Sequence, residues 1–437
     1  MSNLKEGVDI KEEQSLSFPK KLKGSFLPKR VSLHLIQHTG KASTLLVEKD
    51  QILKAGDKIA DPDGFISASL HSSISGKVSK VCNYSHPLLG KSIAVSIEGD
   101  GTDEEWKEVK KSKVEEKSPK ELIDIIKDCG IVGLGGGAFP THVKLNPPQD
   151  KKIETLIING CECEPYLASD DILMQDKPFE IIKGIELVRK IVNPDRVIVV
   201  LESDKEEALI RMRQAALKKN IEVIKVDKIY PQGAEKQLIK SVISREVPPG
   251  GLPFDVGAIV LNVGTCFSIY EAVYKGKPLI ERYLTLAGDA VSNPGVYSVR
   301  VGTLLKDVIE HSGGLTKELS KIIFGGPMMG ITQASLDTPI LKGTSGILLL
   351  SKRFVSDYKE YPCIRCSQCV DLCPMNLMPT KIAHFVKHGK WDLLDEYNIS
   401  DCIECGSCSY ICSSRIPLLD YIKLGKDYLK NNNIYGR

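Results

Sequence analysis

Eight of the thirteen cysteines fall into two copies of one spacing near the C-terminal end of the chain. Cys363, Cys366, Cys369 and Cys373 precede Pro374 and read C-x2-C-x2-C-x3-C; Cys402, Cys405, Cys408 and Cys412 precede Ser413 and read the same. Three thiolates at that interval wrap one corner of an iron–sulfur cubane. The fourth lies too far round to close the same cluster, so it ligates the neighbour. The segment is therefore expected to hold two [4Fe–4S] clusters with exchanged fourth ligands: Cys363, Cys366, Cys369 and Cys412 on one, and Cys402, Cys405, Cys408 and Cys373 on the other. Structural zinc sites favour paired C-x2-C knuckles with four ligands per ion, which a run of four with an offset last member does not supply. Disulfides belong to oxidising compartments and usually to small chains, and this chain has 437 residues.

The spacing matches that of two-cluster bacterial ferredoxins. Residues 378–388 and 393–397, between the arrays, read as helical, so a helical ferredoxin domain is expected over 351–437. The length allows roughly three domains at about 150 residues each. A net charge of +3 sets 59 basic against 56 acidic residues, interspersed, so no nucleic-acid partner is expected. No apolar run reaches the roughly 18 residues of a transmembrane helix. Residues 1–14 lack the apolar core of a signal peptide. Both observations point to a cytoplasmic chain that meets a membrane only through partners.

The expected fold class is a multidomain α/β chain. Residues 1–30, rich in lysine and poor in periodic hydrophobicity, read as an extended surface arm. Residues 31–102 alternate short apolar runs with turns and read as a small all-β module. Its pieces resemble the barrel-sandwich hybrid of biotinyl and lipoyl carriers, but the hairpin at 59–68 has no lysine to swing, which favours a structural or docking role. Residues 103–120, with Trp106, read as a charged linker. Over 121–283, strands near 156–158, 197–201, 222–226 and 258–263 alternate with helices near 179–192, 206–218 and 235–244. That alternation predicts a parallel, Rossmann-like sheet. Residues 284–350, with a short helix at 304–311, resemble the soluble-ligand-binding β-grasp domain.

The second informative stretch is Gly133-Leu134-Gly135-Gly136-Gly137-Ala138-Phe139-Pro140-Thr141. Glycines let backbone N–H groups close on a phosphate, and a helix starting just after them would add its positive end. The stretch before the loop, 121–128, reads as helix rather than strand, so the loop is not a conventional dinucleotide fingerprint. Asn159, Glu162 and Glu164 follow the first strand, where open α/β sheets bind ligands. Tyr230, Glu235, Asn262 and Thr265 take similar places after later strands.

With Lys144, these stretches resemble, in the same chain order, the flavin-binding motifs of the NADH-oxidising flavoprotein subunit of respiratory complex I. They resemble still more the C-subunit family of the Rnf complex. That likeness extends through Val247-Pro248-Pro249-Gly250-Gly251-Leu252-Pro253, Gly325-Gly326-Pro327-Met328-Met329-Gly330 and the cysteine arrays. The resemblance implies that Gly133, Gly135, Gly136 and Lys144 hold the phosphate and ribityl chain of FMN. Asn159, Glu164, Asn262 and Thr265 would contact ring and ribityl, with Glu162 in the same strand-end set. Phe139 would stack on nicotinamide or adenine, and Tyr230 and Glu235 would border NAD(H). Three features depart from the pattern: Leu134 stands in place of complex I's arginine, Cys161 and Cys163 lie at the carboxylate-rich strand end, and Ser413 replaces a proline. The two thiols read as buried and apolar-like rather than as metal ligands.

NADH gives two electrons together and a cluster takes one, so a flavin sharing a chain with clusters has a physical reason to be there. The resemblance thus implies a peripheral subunit, on the cytoplasmic face, of an Rnf-type ion-translocating NAD:ferredoxin oxidoreductase. Its partners would be the other subunits of a membrane redox complex and a ferredoxin-like electron carrier. A related subunit feeding a soluble cobalamin or proline reductase, and a scaffold with structural clusters, are the rival readings.

Overall fold

The computed structural model describes residues 7–16, 20–102, 114–355 and 359–432. Trp106, most of the expected charged linker and parts of the N-terminal arm lie outside the described residues.

Four parallel strands form the central sheet in the order Glu222–Val226, Arg196–Glu202, Thr155–Gly160, Ala258–Asn262. Parallel neighbours need crossovers, and the intervening helices supply them. Alternate side chains point to opposite faces. Leu156, Ile158, Val199 and Leu201 pack with Ile181, Ile185 and Val188 of helix Pro178–Val192 and with Cys266 and Ile269 of helix Val263–Lys275. On the other face Ile157, Ile198, Val200 and Val260 meet Leu238 and Ile239 of helix Glu235–Ile243. Each such fully buried aliphatic side chain is worth roughly 1.5–3 kcal/mol. Helix Pro119–Asp128 opens on a capping box between Ser118 and Glu121. The chain runs outward from the first strand to the third, then returns to place the fourth on the first strand's other side. That reversal opens a crevice at the carboxyl ends of Thr155–Gly160 and Ala258–Asn262.

Residues before the crevice domain form two small antiparallel sheets around Val31, Leu33, Ile59, Ile74, Val95 and Ile97. The loop where a carrier would display its lysine is tied back onto its own module instead, Lys41 N–H donating to the Ile66 carbonyl at 3.0 Å and the Ser67 hydroxyl to the Lys41 carbonyl at 2.9 Å. A six-stranded sheet carries the β-grasp unit, with helix Leu305–His311 packed on Leu284, Val299, Ile347 and Leu349. The arm departs from expectation here. Leu22–Ser25 joins that sheet as a parallel edge strand beside Gly295–Arg300, and Leu16 is buried with Ala287, Ile323 and Leu348. An edge strand offers a row of free backbone donors and acceptors, which recruits a segment whose side chains carry no strand pattern. Lys342 ties three units together. Its buried ammonium donates to the Ser69 and Gly130 carbonyls at 2.8 Å each, and burial lowers its pKa to about 7.

In the C-terminal unit, helices Pro379–Lys387 and Leu418–Asn431 pack through Ile382, Phe385, Leu418 and Ile422. The helix expected at 393–397 is absent; a 3₁₀ turn at Trp391–Leu393 replaces it, and Trp391 stacks on Tyr428 at 4.1 Å. Tertiary stacking and a left-handed Asn398 outweigh local helix propensity there. Among the described residues no helix is long and apolar enough to cross a membrane.

Candidate functional site

Asn159 and Asn262 are paired in register at the crevice. Asn262 caps helix Val263–Lys275, its Oδ1 accepting from Gly264 N–H at 2.8 Å and Thr265 N–H at 3.3 Å, while Nδ2 donates to Asp170 at 2.6 Å. Such a cap is worth about 1 kcal/mol. Asn159 accepts from Cys161 N–H at 2.9 Å and donates to the Gly233 carbonyl at 2.8 Å. Both asparagines are thus set rigidly on a sheet edge.

The glycine loop closes as a narrow turn, Gly133 N–H donating to the Phe139 carbonyl at 2.8 Å. Thr265 Oγ1 accepts from Leu134 N–H at 2.9 Å, and a side chain at Gly135 would meet Asn262 at 3.4 Å. Gly136 sits at φ +107° with nothing within 4 Å of where its Cβ would be, and Gly137 likewise faces open space. Thr39 of the β module holds the loop from behind, giving its N–H to the Ala138 carbonyl at 3.2 Å and its hydroxyl to the Gly137 carbonyl at 2.7 Å. In a planar trans peptide, a carbonyl turned to Thr39 aims the next N–H the opposite way. The cradle therefore fits an anionic ligand. The helix expected after the loop is one turn only, Thr141–Lys144, so the loop's own amides carry the burden that a longer helix terminus would share. Lys144 pairs with Glu235, joining the loop to the first turn of helix Glu235–Ile243.

The strand-end carboxylates have protein partners. Glu162 accepts from the Ser169 hydroxyl at 2.8 Å and from the N–H groups of Asp170 and Asp171 at 3.2 Å, capping helix Ser169–Asp176. Glu164 accepts from Met329 N–H at 2.7 Å and Met328 N–H at 3.1 Å, and burial pushes its carboxyl up to about 7. Burial, with the neighbouring Glu162 charge, pushes Asp170 up to about 7 as well. Cys161 and Cys163 are held as thiols by burial, in keeping with an apolar-like role. Arg282, which no sequence motif marks, is buried in the β-grasp strand Glu281–Ala287 and donates to the Leu134 carbonyl at 3.4 Å, facing Asp170 and Glu162. A buried cation from another unit thus lies against the loop's Leu134 carbonyl.

The crevice abuts the cysteine arrays. The Tyr230 hydroxyl donates to the Cys405 carbonyl at 2.6 Å, and Gln237 Nε2 donates to the Pro374 carbonyl at 2.8 Å. Cys373, Cys402, Cys405 and Cys408 line one small cavity, and Cys369 faces Cys412 and Cys363. The arrays share their local geometry. Arg365 and Glu404 N–H groups reach the first sulfur of each, and Leu377 and Ile416 N–H groups reach the last, all at 3.4 Å. Backbone donors on sulfur suit thiolates that carry charge onto a cluster.

Residues 126–271 match the Nuo51 FMN-binding domain, 2–102 the RnfC barrel sandwich hybrid domain, 283–332 the SLBB domain and 362–416 the 4Fe-4S dicluster domain. The C subunit of the proton-translocating ferredoxin:NAD(+) oxidoreductase complex of Clostridium ljungdahlii is 43% identical over 99% of this chain and 94% of its own length. The C subunit of the Na(+)-translocating ferredoxin:NAD(+) oxidoreductase complex of Acetobacterium woodii is 40% identical over 95% of this chain and 93% of its own. A solved NAD+-reducing [NiFe]-hydrogenase shares the fold, with a TM-score of 0.53 and 16% identity over 73% of this chain and 67% of that one. With its FMN-binding and dicluster domains in one chain, the protein is an electron-transfer oxidoreductase subunit and belongs to the C-subunit family of the Rnf complexes.

Proposed function

We propose that this chain is the peripheral NAD(H)-linked subunit of an Rnf-type ion-translocating ferredoxin:NAD oxidoreductase, placed on the cytoplasmic face of the membrane. The carrying observation is that the crevice and one cysteine array are a single hydrogen-bonded body, joined by Tyr230 and Gln237. FMN, when bound, accepts electrons in a pair and releases them singly, which the two [4Fe–4S] clusters can carry.

The residues divide the work. Gly133, Gly135 and Gly136 form the cradle for phosphate and ribityl oxygens, with open space at Gly136 and with Gly135 close on Asn262, and Lys144 supplies a cation at the loop's exit. Asn159, Asn262 and Thr265 hold the crevice floor, with Glu162 bracing it through the helix it caps. Phe139 and Glu235 border NAD(H), and Glu164 fixes the 328–329 bracket beside the arrays. Cys363, Cys366, Cys369 and Cys412 hold one cluster; Cys402, Cys405, Cys408 and Cys373 hold the other. The shared cavity of the second set supports that exchange.

The test is an anaerobic preparation of the full chain with iron, sulfide and flavin counted and NADH added. About eight irons, one FMN and NADH-driven bleaching are expected. A protein with clusters and no NADH response would favour a scaffold. Copurification with membrane subunits separates the Rnf assignment from a subunit that feeds a soluble reductase.

A further inference from the structure

We propose that Tyr230 and Gln237 are positioning residues that raise the reduction potential of one cluster only, the one held by Cys373, Cys402, Cys405 and Cys408. This rests on the proposed function and adds to it a means by which the nucleotide half sets the energy of its nearest electron acceptor.

Tyr230 is buried at 3% exposure, and its backbone exchanges two hydrogen bonds with Val8 of the N-terminal arm, at 2.8 and 3.0 Å. Its hydroxyl is thereby held against the Cys405 carbonyl. Because the peptide is planar and trans, a carbonyl turned toward Tyr230 aims the Gly406 N–H away from it. Gly406 lines the same cavity as the four cysteines. Gln237 repeats the arrangement on the other chain segment: its Nε2 draws the Pro374 carbonyl outward, and Met375, whose N–H points the opposite way, also lines the cavity. Gln237 Oε1 is buried without a partner among the described residues, a cost that keeping Nε2 on Pro374 accounts for.

A donor placed on a peptide carbonyl polarises that peptide and strengthens the dipole at its N–H end. Two such dipoles with their positive ends toward a cluster favour its reduced, more negative state. Hydrogen bonding and solvent exposure are the levers that set cluster potentials. In the other array the residue matching Cys405 is Cys366, which is exposed to solvent. The effect is therefore confined to one cluster.

The test is an anaerobic potentiometric titration of the full chain carrying both clusters, followed by electron paramagnetic resonance. The signal missing from a Cys402→Ser protein identifies the affected cluster. In Tyr230→Phe that cluster should become harder to reduce, with a roughly tenfold change in its oxidised-to-reduced ratio at fixed potential, or about 59 mV for one electron. Gln237→Met should shift it the same way by less. The other cluster and the flavin content should not change. If Tyr230→Phe loses the cluster outright, Gln237→Met decides. Clusters that both move together, or an affected cluster that stays put, overturn the inference while leaving the function intact. A chain that takes up no pair of clusters overturns the function itself.

Discussion

The two cysteine arrays are copies in spacing and in backbone, yet they occupy opposite environments. Arg365 and Glu404 both sit left-handed at φ 56° and 58°, Ser367 and Gly406 at 64° and 77°, and Asn376 and Arg415 at 54° and 52°. Around the first array every residue from 361 to 368 is exposed, including Cys363 and Cys366; in the second, 405–408 are buried against the crevice domain. Charge divides in the same way. Residues 359–390 hold five basic and two acidic side chains, and 391–430 hold four basic and seven acidic. A repeated motif thus makes two equivalent cradles, and the surroundings make them inequivalent: one array lies against the crevice domain, the other faces outward.

The largest test of that contrast exchanges the fourth ligands. Cys373→Ser should cost the buried cluster and, with it, NADH-driven reduction of the exposed one. Cys412→Ser should cost the exposed cluster alone, leaving NADH able to reduce the other. Iron counts and resonance spectra decide it, and the reverse pattern would break the exchanged assignment. Next in size is Gly136→Val, which places a side chain in the open cradle at a φ that side chains rarely adopt. Flavin should be lost while both clusters assemble and dithionite still reduces them. Full flavin in that variant would reduce the loop to a turn.

Arg365→Glu gives the exposed array the residue its twin carries as Glu404. Electron exchange with an acidic two-cluster ferredoxin should slow several-fold at low salt and recover at high salt, while viologen reduction stays unchanged. A salt-independent loss would show a folding effect instead. The smallest effect belongs to Glu164, whose pKa rises from 4.5 to about 7 on burial. Its contribution to stability is full below about pH 4.5 and is lost as pH climbs toward 7, because the unfolded chain ionises first. Glu164→Gln should therefore match the parent near pH 5 and outlast it near pH 7.5 in thermal unfolding; parallel curves would remove Glu164 from the bracket under the buried array.

Features whose causes are local were legible in the amino-acid sequence. The cysteine interval dictates a cubane cradle, because three-residue steps put successive sulfurs around one corner whatever lies outside. Apolar runs alternating with helical periods dictate a parallel sheet, and chain reversal then puts Asn159 and Asn262 together at its edge. The carboxylates were legible as residues but not in their roles: Glu162 as a helix cap depends on Ser169–Asp176 folding back on it. Tertiary structure alone brought Thr39 to Gly137 across 98 positions, Arg282 to Leu134 across 148, and Tyr230 to Cys405 across 175. No periodicity records such pairs. Each is a hydrogen bond between a side chain and a distant carbonyl, and a carbonyl carries no sequence signature because every residue has one. The same physics made two identical arrays different, since burial and neighbouring charge are set by what packs against a motif and not by the motif.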